Sequence, residues 1–142
     1  MWQAFQHATG IEATYSAWAF GDDSDPDFQT ELGKLVLEGP KRATAGLLSD
    51  YSNGDEPMPK VGDYSIILDG DGNPLCIIRT AEVSNRPMSE VDEQFAWDEG
   101  EGERTVKWWT EAHVRFFARL GIEIDQSTDM VLERFELVWP AA

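Results

Sequence analysis

Two apolar runs in the middle of the chain, Tyr64 to Leu68 and Leu75 to Val83, are rich in β-branched residues and are separated by Asp69-Gly70-Asp71-Gly72-Asn73-Pro74. Runs of this composition read as strands, and a connection built from such turn formers reads as a hairpin. An antiparallel pair therefore lies near the centre of the fold, and the remaining segments have to pack around it. Met130 to Trp139 supplies a further strand, with Val131, Glu133, Phe135, Leu137 and Trp139 on one side and Leu132, Arg134, Glu136 and Val138 on the other.

The helical signals lie on either side of the hairpin. Asp25 is an N-cap with Pro26 at the first helical position, and Phe28, Leu32, Leu35 and Val36 recur at helical spacing until Gly39 and Pro40 stop the helix. Ser89 can cap a second helix running through Val91, Phe95 and Ala96 to Gly100. A third is expected from about Glu103, with Val106, Trp109, His113, Phe116, Phe117 and Leu120 on one face and Gly121 at its end. Residues 41–45 are too short for a helix between breakers and read as a strand or tight loop, and 46–60 as an irregular excursion. No βαβαβ rhythm is present, so the fold class is α+β, with an antiparallel or mixed sheet curled toward a small barrel and helices packed on it.

The chain of 142 residues, 42% hydrophobic and carrying six Trp, can bury one core and is read as a single domain over 1–142, with 1–24 as an apolar N-terminal lead-in. No apolar run approaches the roughly 20 residues that cross a bilayer, and the N-terminus lacks a basic region followed by an apolar one. The expected address is the cytoplasm, with no membrane partner. The lone Cys76 lies in an apolar strand, where a buried thiol is the ordinary reading. A net charge of −16 argues against a chain-wide attraction to polyphosphate. It leaves room for a local basic cleft drawn from Lys41, Arg42, Lys60, Arg79, Arg104, Lys107 and Arg115.

Metal chemistry finds little support. Asp69, Asp71 and Asn73 resemble the opening of a calcium loop, but Pro74 stands where glycine is required and Thr80 where the closing glutamate belongs. His7 and His113 are far apart, with no carboxylate or thiol at metal spacing. No metal or cofactor is expected. His113, on the apolar face of its helix, is either a hydrogen-bonded core residue or the lining of a cleft. The acidic stretch Asp98 to Glu103 reads as a solvated helix terminus. In Gly39-Pro40-Lys41-Arg42-Ala43-Thr44, Lys41 and Thr44 would face opposite ways in a strand and could share a site only if the backbone turns there, so spacing alone favours a surface lysine and a structural threonine over a site.

Taken in order, these pieces resemble the ASCH family, which is similar in fold to the PUA RNA-binding domains. The resemblance rests on Gly39-Pro40-Lys41-Arg42-Ala43-Thr44 as a G-x-K-x-x-T signature, on Pro59-Lys60-Val61-Gly62-Asp63 entering a strand and on Ile78-Arg79-Thr80-Ala81-Glu82-Val83 leaving one. It rests equally on Phe95-Ala96-Trp97-Asp98-Glu99-Gly100-Glu101-Gly102 and on Trp109-Thr110-Glu111-Ala112-His113 with Phe116-Phe117, and spans most of residues 18–139. It implies a PUA-like β-barrel and a cleft in which the signature faces Glu99. It further implies action on RNA or a modified nucleoside, by amidohydrolysis of acetylcytidine as in the shortest bacterial members or by ribonuclease activity as in a longer one. The amidohydrolase roles carry over as Lys41 proton acceptor, Thr44 nucleophile and Glu99 proton donor. One departure stands out: those enzymes carry an arginine two residues after the threonine, where this chain has Gly46.

The roles impose conditions. A lysine serves as base if burial lowers its pKa to about 7–8, and Glu99 needs the opposite shift from an apolar wall such as Trp97 or Trp109. Arg42, Lys60, Arg79, Trp109 and His113 are the candidate substrate-binding residues, Arg79 or Lys60 steadying a phosphate. The alternative is a non-catalytic RNA- or nucleotide-binding regulatory module.

Overall fold

The computed structural model describes residues 1–54 and 57–140. The elements follow in the order α1 (Trp2–Thr9), β1 (Tyr15–Trp18), α2 (Pro26–Glu38), β2 (Ala43–Leu47), α3 (Leu48–Ser52), β3 (Tyr64–Leu68), β4 (Pro74–Pro87), a 3-10 turn (Met88–Glu90), α4 (Glu93–Glu99), α5 (Val106–Arg119) and β5 (Asp129–Trp139).

The expected hairpin forms β3 and β4, with Ile66 opposite Ile77 and Ile67 opposite Cys76. Its turn is held by Asp69, whose carboxylate accepts the backbone N–H groups of Asp71 and Asn73 at 2.9 Å each. That is the use the fold makes of the aspartates that resembled a calcium loop. The five strands form one sheet in the order β1-β3-β4-β5-β2, with β1 parallel to β3 and the other pairs antiparallel. Tyr15 to Trp18, at the end of the apolar lead-in, is thus an edge strand of this sheet.

The barrel expectation is corrected. β1 and β2 are the two edges, and among the described residues no ladder joins them, so the sheet is open. At β2 the reason is visible. Arg42 O accepts from Phe135 N of β5, so the alternation of the ladder turns the next carbonyl, Ala43 O, toward the free edge. There it accepts from Lys41 Nζ at 2.8 Å. A lysine side chain takes the place of a neighbouring strand, one of the recognised ways of closing off an edge.

Helices cover both faces. Phe95 of α4 and Trp109 and Phe117 of α5 pack on Ala43, Leu47, Met130 and Leu132. Leu32 and Val36 of α2 pack on Ile67, Cys76, Ile78 and Phe135. Trp2 and Phe5 of α1 cover Ile66 and Ile77. Fully burying side chains of this size contributes about 1.5–3 kcal/mol each, which is what the α2 periodicity and the apolar alternation of the strands amount to energetically. Among the described residues no helix is long and apolar enough to cross a membrane.

Two helix starts differ in detail. Asp25 caps α2 as expected, accepting from Phe28 N at 3.1 Å. Ser89, expected to cap the next helix, lies instead in the 3-10 turn with its N–H tied to Gln126 O. Asp92 caps α4, accepting from Phe95 N at 2.8 Å, a better acceptor placed three residues before the first core aromatic. Thr105 caps α5 in the same way through Trp108 N, so that helix begins at Val106. The excursion over 46–60 contains the short α3.

Candidate functional site

The segment between α2 and β2 is clamped by backbone contacts before any side chain enters. Lys41 N donates to Leu35 O at the end of α2, and Arg42 N donates to Asp98 O in α4. Gly100, the left-handed C-cap of α4 at φ 68°, makes the approach possible. A Cβ there would lie 2.7 Å from Lys41 N and 2.8 Å from Lys41 Cα, closer than real Cβ contacts come. The stop signal of one helix and the glycine at the end of another are pressed together, which brings Lys41 and Glu99 to one place.

Their side chains meet in the interior. Lys41 Nζ lies 2.9 Å from Glu99 Oε1 and 2.8 Å from Glu101 Oε2. Lys41 is 1% exposed and Glu99 2%, whereas Glu101 keeps 16% of its side-chain surface. The second oxygen of Glu99 accepts from Trp109 Nε1 at 2.6 Å. His113, one turn along α5, stacks on Trp109 at 3.9 Å between ring centroids and places Nε2 3.6 Å from Glu99 Oε2. His113 Nδ1 is 2.8 Å from Trp109 O, and because a carbonyl oxygen only accepts, Nδ1 is the donor of this bond. His113 is thus hydrogen-bonded to its own helix and half-buried, with 15% of its side chain exposed.

The electrostatics run opposite to the roles the resemblance implies for lysine and glutamate. Burial pulls the Lys41 pKa down, but the charges of Glu99 and Glu101 outweigh it and hold the ammonium above its ordinary value. Burial pushes Glu99 up, but Lys41 and His113 bring it below the usual carboxylate range. The shifts that a neutral lysine base and a protonated Glu99 need thus run the other way in this arrangement. Trp109, expected as an apolar wall that would raise Glu99, does the reverse by donating its N–H. Glu101 is the group pushed upward, by burial first and then by Glu99, against the pull of Lys41.

The other candidates are placed as follows. Thr44 sits in β2 opposite Glu133, on the sheet face away from the neighbouring Ala43 and Ala45 that pack under α4 and α5. Among the described residues its hydroxyl makes no hydrogen bond to Lys41, Glu99 or Glu101. Arg42 is committed to backbone carbonyls, Val36 O at 2.9 Å and Lys41 O at 2.7 Å. Arg79 faces Glu136 at 3.5 Å on the surface, and Lys60 is exposed. Among the described residues no hydrogen bond or ion pair joins Lys60 or Arg79 to the partners of Lys41. Arg104 lies on the Trp97 ring at 3.5 Å, and Arg134 binds Asp98 and Glu82. Arg79, Arg104 and Arg134 are thus each held by a local partner. Gly46, where the amidohydrolases carry arginine, has its side-chain space taken: a Cβ there would be 3.1 Å from Tyr51 Oη.

Glu101 was not among the candidates read from the sequence. The signal was present in Glu99-Gly100-Glu101, where a helix-stopping glycine between two glutamates lets both carboxyls turn to the same side, but it was hidden within an acidic run that looks solvated.

The ASCH domain family model matches residues 16–139 of the chain. Two solved structures are similar over almost the whole chain. One, a protein from Enterococcus faecalis V583, is 37% identical with a TM-score of 0.83, covering 97% of this chain and 87% of its own. The other, an ASCH domain from Lactobacillus crispatus JV V101, is 36% identical with a TM-score of 0.82, covering 96% and 92%. No curated protein matches the sequence.

Proposed function

The chain belongs to the ASCH domain family, and on that premise we propose that it is a hydrolase acting on RNA or RNA-derived nucleosides, with a small modified nucleoside favoured over a strand. The observation that carries this reading is the convergence of Lys41, Glu99, Glu101 and His113, from the G-x-K-x-x-T segment, the end of α4 and α5, around one largely buried point. Withdrawing this many ionisable groups from water is costly, and a buried ion pair is weak evidence for stability as such. Groups with shifted proton affinity gathered at one point are characteristic of sites that move protons. General acid–base chemistry on an acyl or phosphoryl bond is the class such a set serves.

The preference for a nucleoside follows from charge. A strand needs cations to track its phosphates. Here the net charge is −16, and Arg79, Arg86 and Arg134 are each paired with a carboxylate. A neutral nucleoside meets no such barrier.

Within this reading Lys41 is a fixed cation, because its hydrogens are taken up by Ala43 O, Glu99 and Glu101. Thr44 is free of that network and can contact substrate only from its own face of β2. Its separation favours the second reading, a nucleotide-binding module without turnover.

The test is incubation of purified protein with acetylcytidine and, separately, with single-stranded RNA. Release of cytidine is the expected outcome, lost in Lys41→Met. Turnover of neither substrate removes the hydrolase reading, and saturable nucleoside binding without turnover would install the second.

A further inference from the structure

Glu99 and Glu101 form a carboxyl pair around a single ammonium, and the two members are not equivalent. Both oxygens of Glu99 already accept, Oε1 from Lys41 at 2.9 Å and Oε2 from Trp109 at 2.6 Å, with His113 Nε2 beyond. A proton on either oxygen would displace a buried donor and leave it unpaired. Glu101 accepts from Lys41 through Oε2, and among the described residues no other donor reaches its carboxyl. One oxygen of Glu101 can therefore carry a proton without displacing a buried donor, which neither oxygen of Glu99 can. Glu101 is also the member that solvent reaches, 16% exposed against 2%.

We propose that Glu101 holds the exchangeable proton of this centre and is its general acid, and that Glu99 is a permanent anion that positions Lys41, Trp109 and His113. The catalytic half rests on the hydrolase reading above, and the location of the proton does not. The direction of the shifts agrees: Glu101 is raised, first by burial and then by Glu99, and Glu99 is lowered. The charged groups facing Glu101 are Lys41, from the segment before β2, and Glu99, from α4. In amide hydrolysis Glu101 gives its proton to the leaving nitrogen as the bond from that nitrogen to the acyl carbon breaks. The attacking water supplies the oxygen of the released acid, and the proton that it loses restores the Glu101 carboxyl.

The experiment has two arms. In the first, the side-chain carboxyl carbons of wild-type protein labelled with 13C-glutamate are followed by NMR across pH, with Glu101→Gln and Glu99→Gln used for assignment. The expected result is a Glu101 resonance that titrates above the ordinary glutamate range and a Glu99 resonance that stays ionised through that step. A higher step on Glu99 overturns the proposal.

In the second arm, acetylcytidine turnover is compared in wild type and Glu101→Gln. A glutamine at 101 can still accept from Lys41 through its amide oxygen, so the fold is retained while the proton is lost. A fall in kcat of about 10²–10⁴-fold is expected, with KM little changed and the alkaline limb of the pH profile gone. A Glu101→Gln variant as fast as wild type overturns the general-acid role and leaves the hydrolase reading standing. Absence of wild-type turnover removes the hydrolase reading and the general-acid role with it, and the titration then decides the location of the proton.

Discussion

Lys41 Nζ and Glu99 Oε1 stand 2.9 Å apart although 58 residues separate them in the chain, and both side chains are almost completely withdrawn from water. Removing one partner of such a pair leaves an uncompensated buried charge, a loss of about 3–5 kcal/mol. Lys41→Met is therefore expected to lower unfolding stability by about that amount, and the double variant Lys41→Met/Glu99→Gln to recover part of it. Urea denaturation of the three proteins checks this. A single variant as stable as wild type would mean that the pair is not buried as described.

Trp109 contributes to the same centre through one hydrogen. Its Nε1–H donates to Glu99 Oε2 at 2.6 Å inside the core formed by α4, α5, β2 and β5. Trp109→Phe keeps an aromatic ring but deprives a buried carboxylate of a donor, at about 1–3 kcal/mol, with a further loss from the smaller ring. Trp109→Phe is also expected to raise the Glu99 pKa, because the lost hydrogen bond favoured the charged form. Chemical denaturation measures the first effect and carboxyl NMR the second. An unchanged Glu99 titration would show that Lys41 and His113 alone hold it down.

Much of this architecture is legible in the sequence. Local signals carry it: the hairpin around Asp69 to Pro74, the Asp25-Pro26 start of α2, the helical spacing of Trp109, His113 and Phe117, and the residues of the signature segment itself. What escapes is decided by company in space. Sheet closure depends on whether a strand or a side chain meets Ala43 O, and no local pattern states that. Ser89 and Asp92 are both acceptable caps, and the choice falls to Gln126, which takes the Ser89 N–H. The identity of Lys41 and Glu99 as a pair could be inferred from family resemblance, but their protonation could not. It is set by Glu101, which looked solvated, and by the indole N–H of Trp109, which looked apolar.

Gly100 makes the pairing of Lys41 with Glu99 sterically possible. It is buried, adopts φ 68°, and lies against the Lys41 backbone at a distance that admits no Cβ. The left-handed conformation alone costs a non-glycine residue roughly 1–2 kcal/mol, and the contact with backbone rather than a flexible side chain cannot be relieved by a rotamer change. Gly100→Ala is expected to cost more than about 2 kcal/mol and to separate Lys41 from Glu99. Thermal denaturation tests the cost, and the Glu99 carboxyl titration reports the separation by moving upward as the Lys41 ammonium that holds it down is withdrawn.

A second buried carboxyl, away from the Lys41 centre, predicts a pH dependence of a definite sign. Glu133 of β5 is 7% exposed and accepts from Thr80 Oγ1 at 2.7 Å. Burial raises its pKa, Thr80 partly opposes this, and the nearby Asp63 adds to the rise. A carboxyl whose pKa is higher folded than unfolded binds more protons in the folded state. Its contribution to stability is therefore greatest below the ordinary glutamate pKa, and it declines as pH rises from there through the raised folded value. Glu133→Gln, which keeps an acceptor for Thr80 and carries no charge, is expected to be more stable than wild type at neutral pH. That advantage should shrink as pH falls through the ordinary glutamate pKa of about 4.3, below which wild-type Glu133 becomes protonated in both states. Paired urea titrations at several pH values measure the difference. A gain that stayed constant with pH would assign the effect to packing, and a loss at neutral pH would mean that the Glu133 carboxylate is stabilised by its surroundings rather than strained by them.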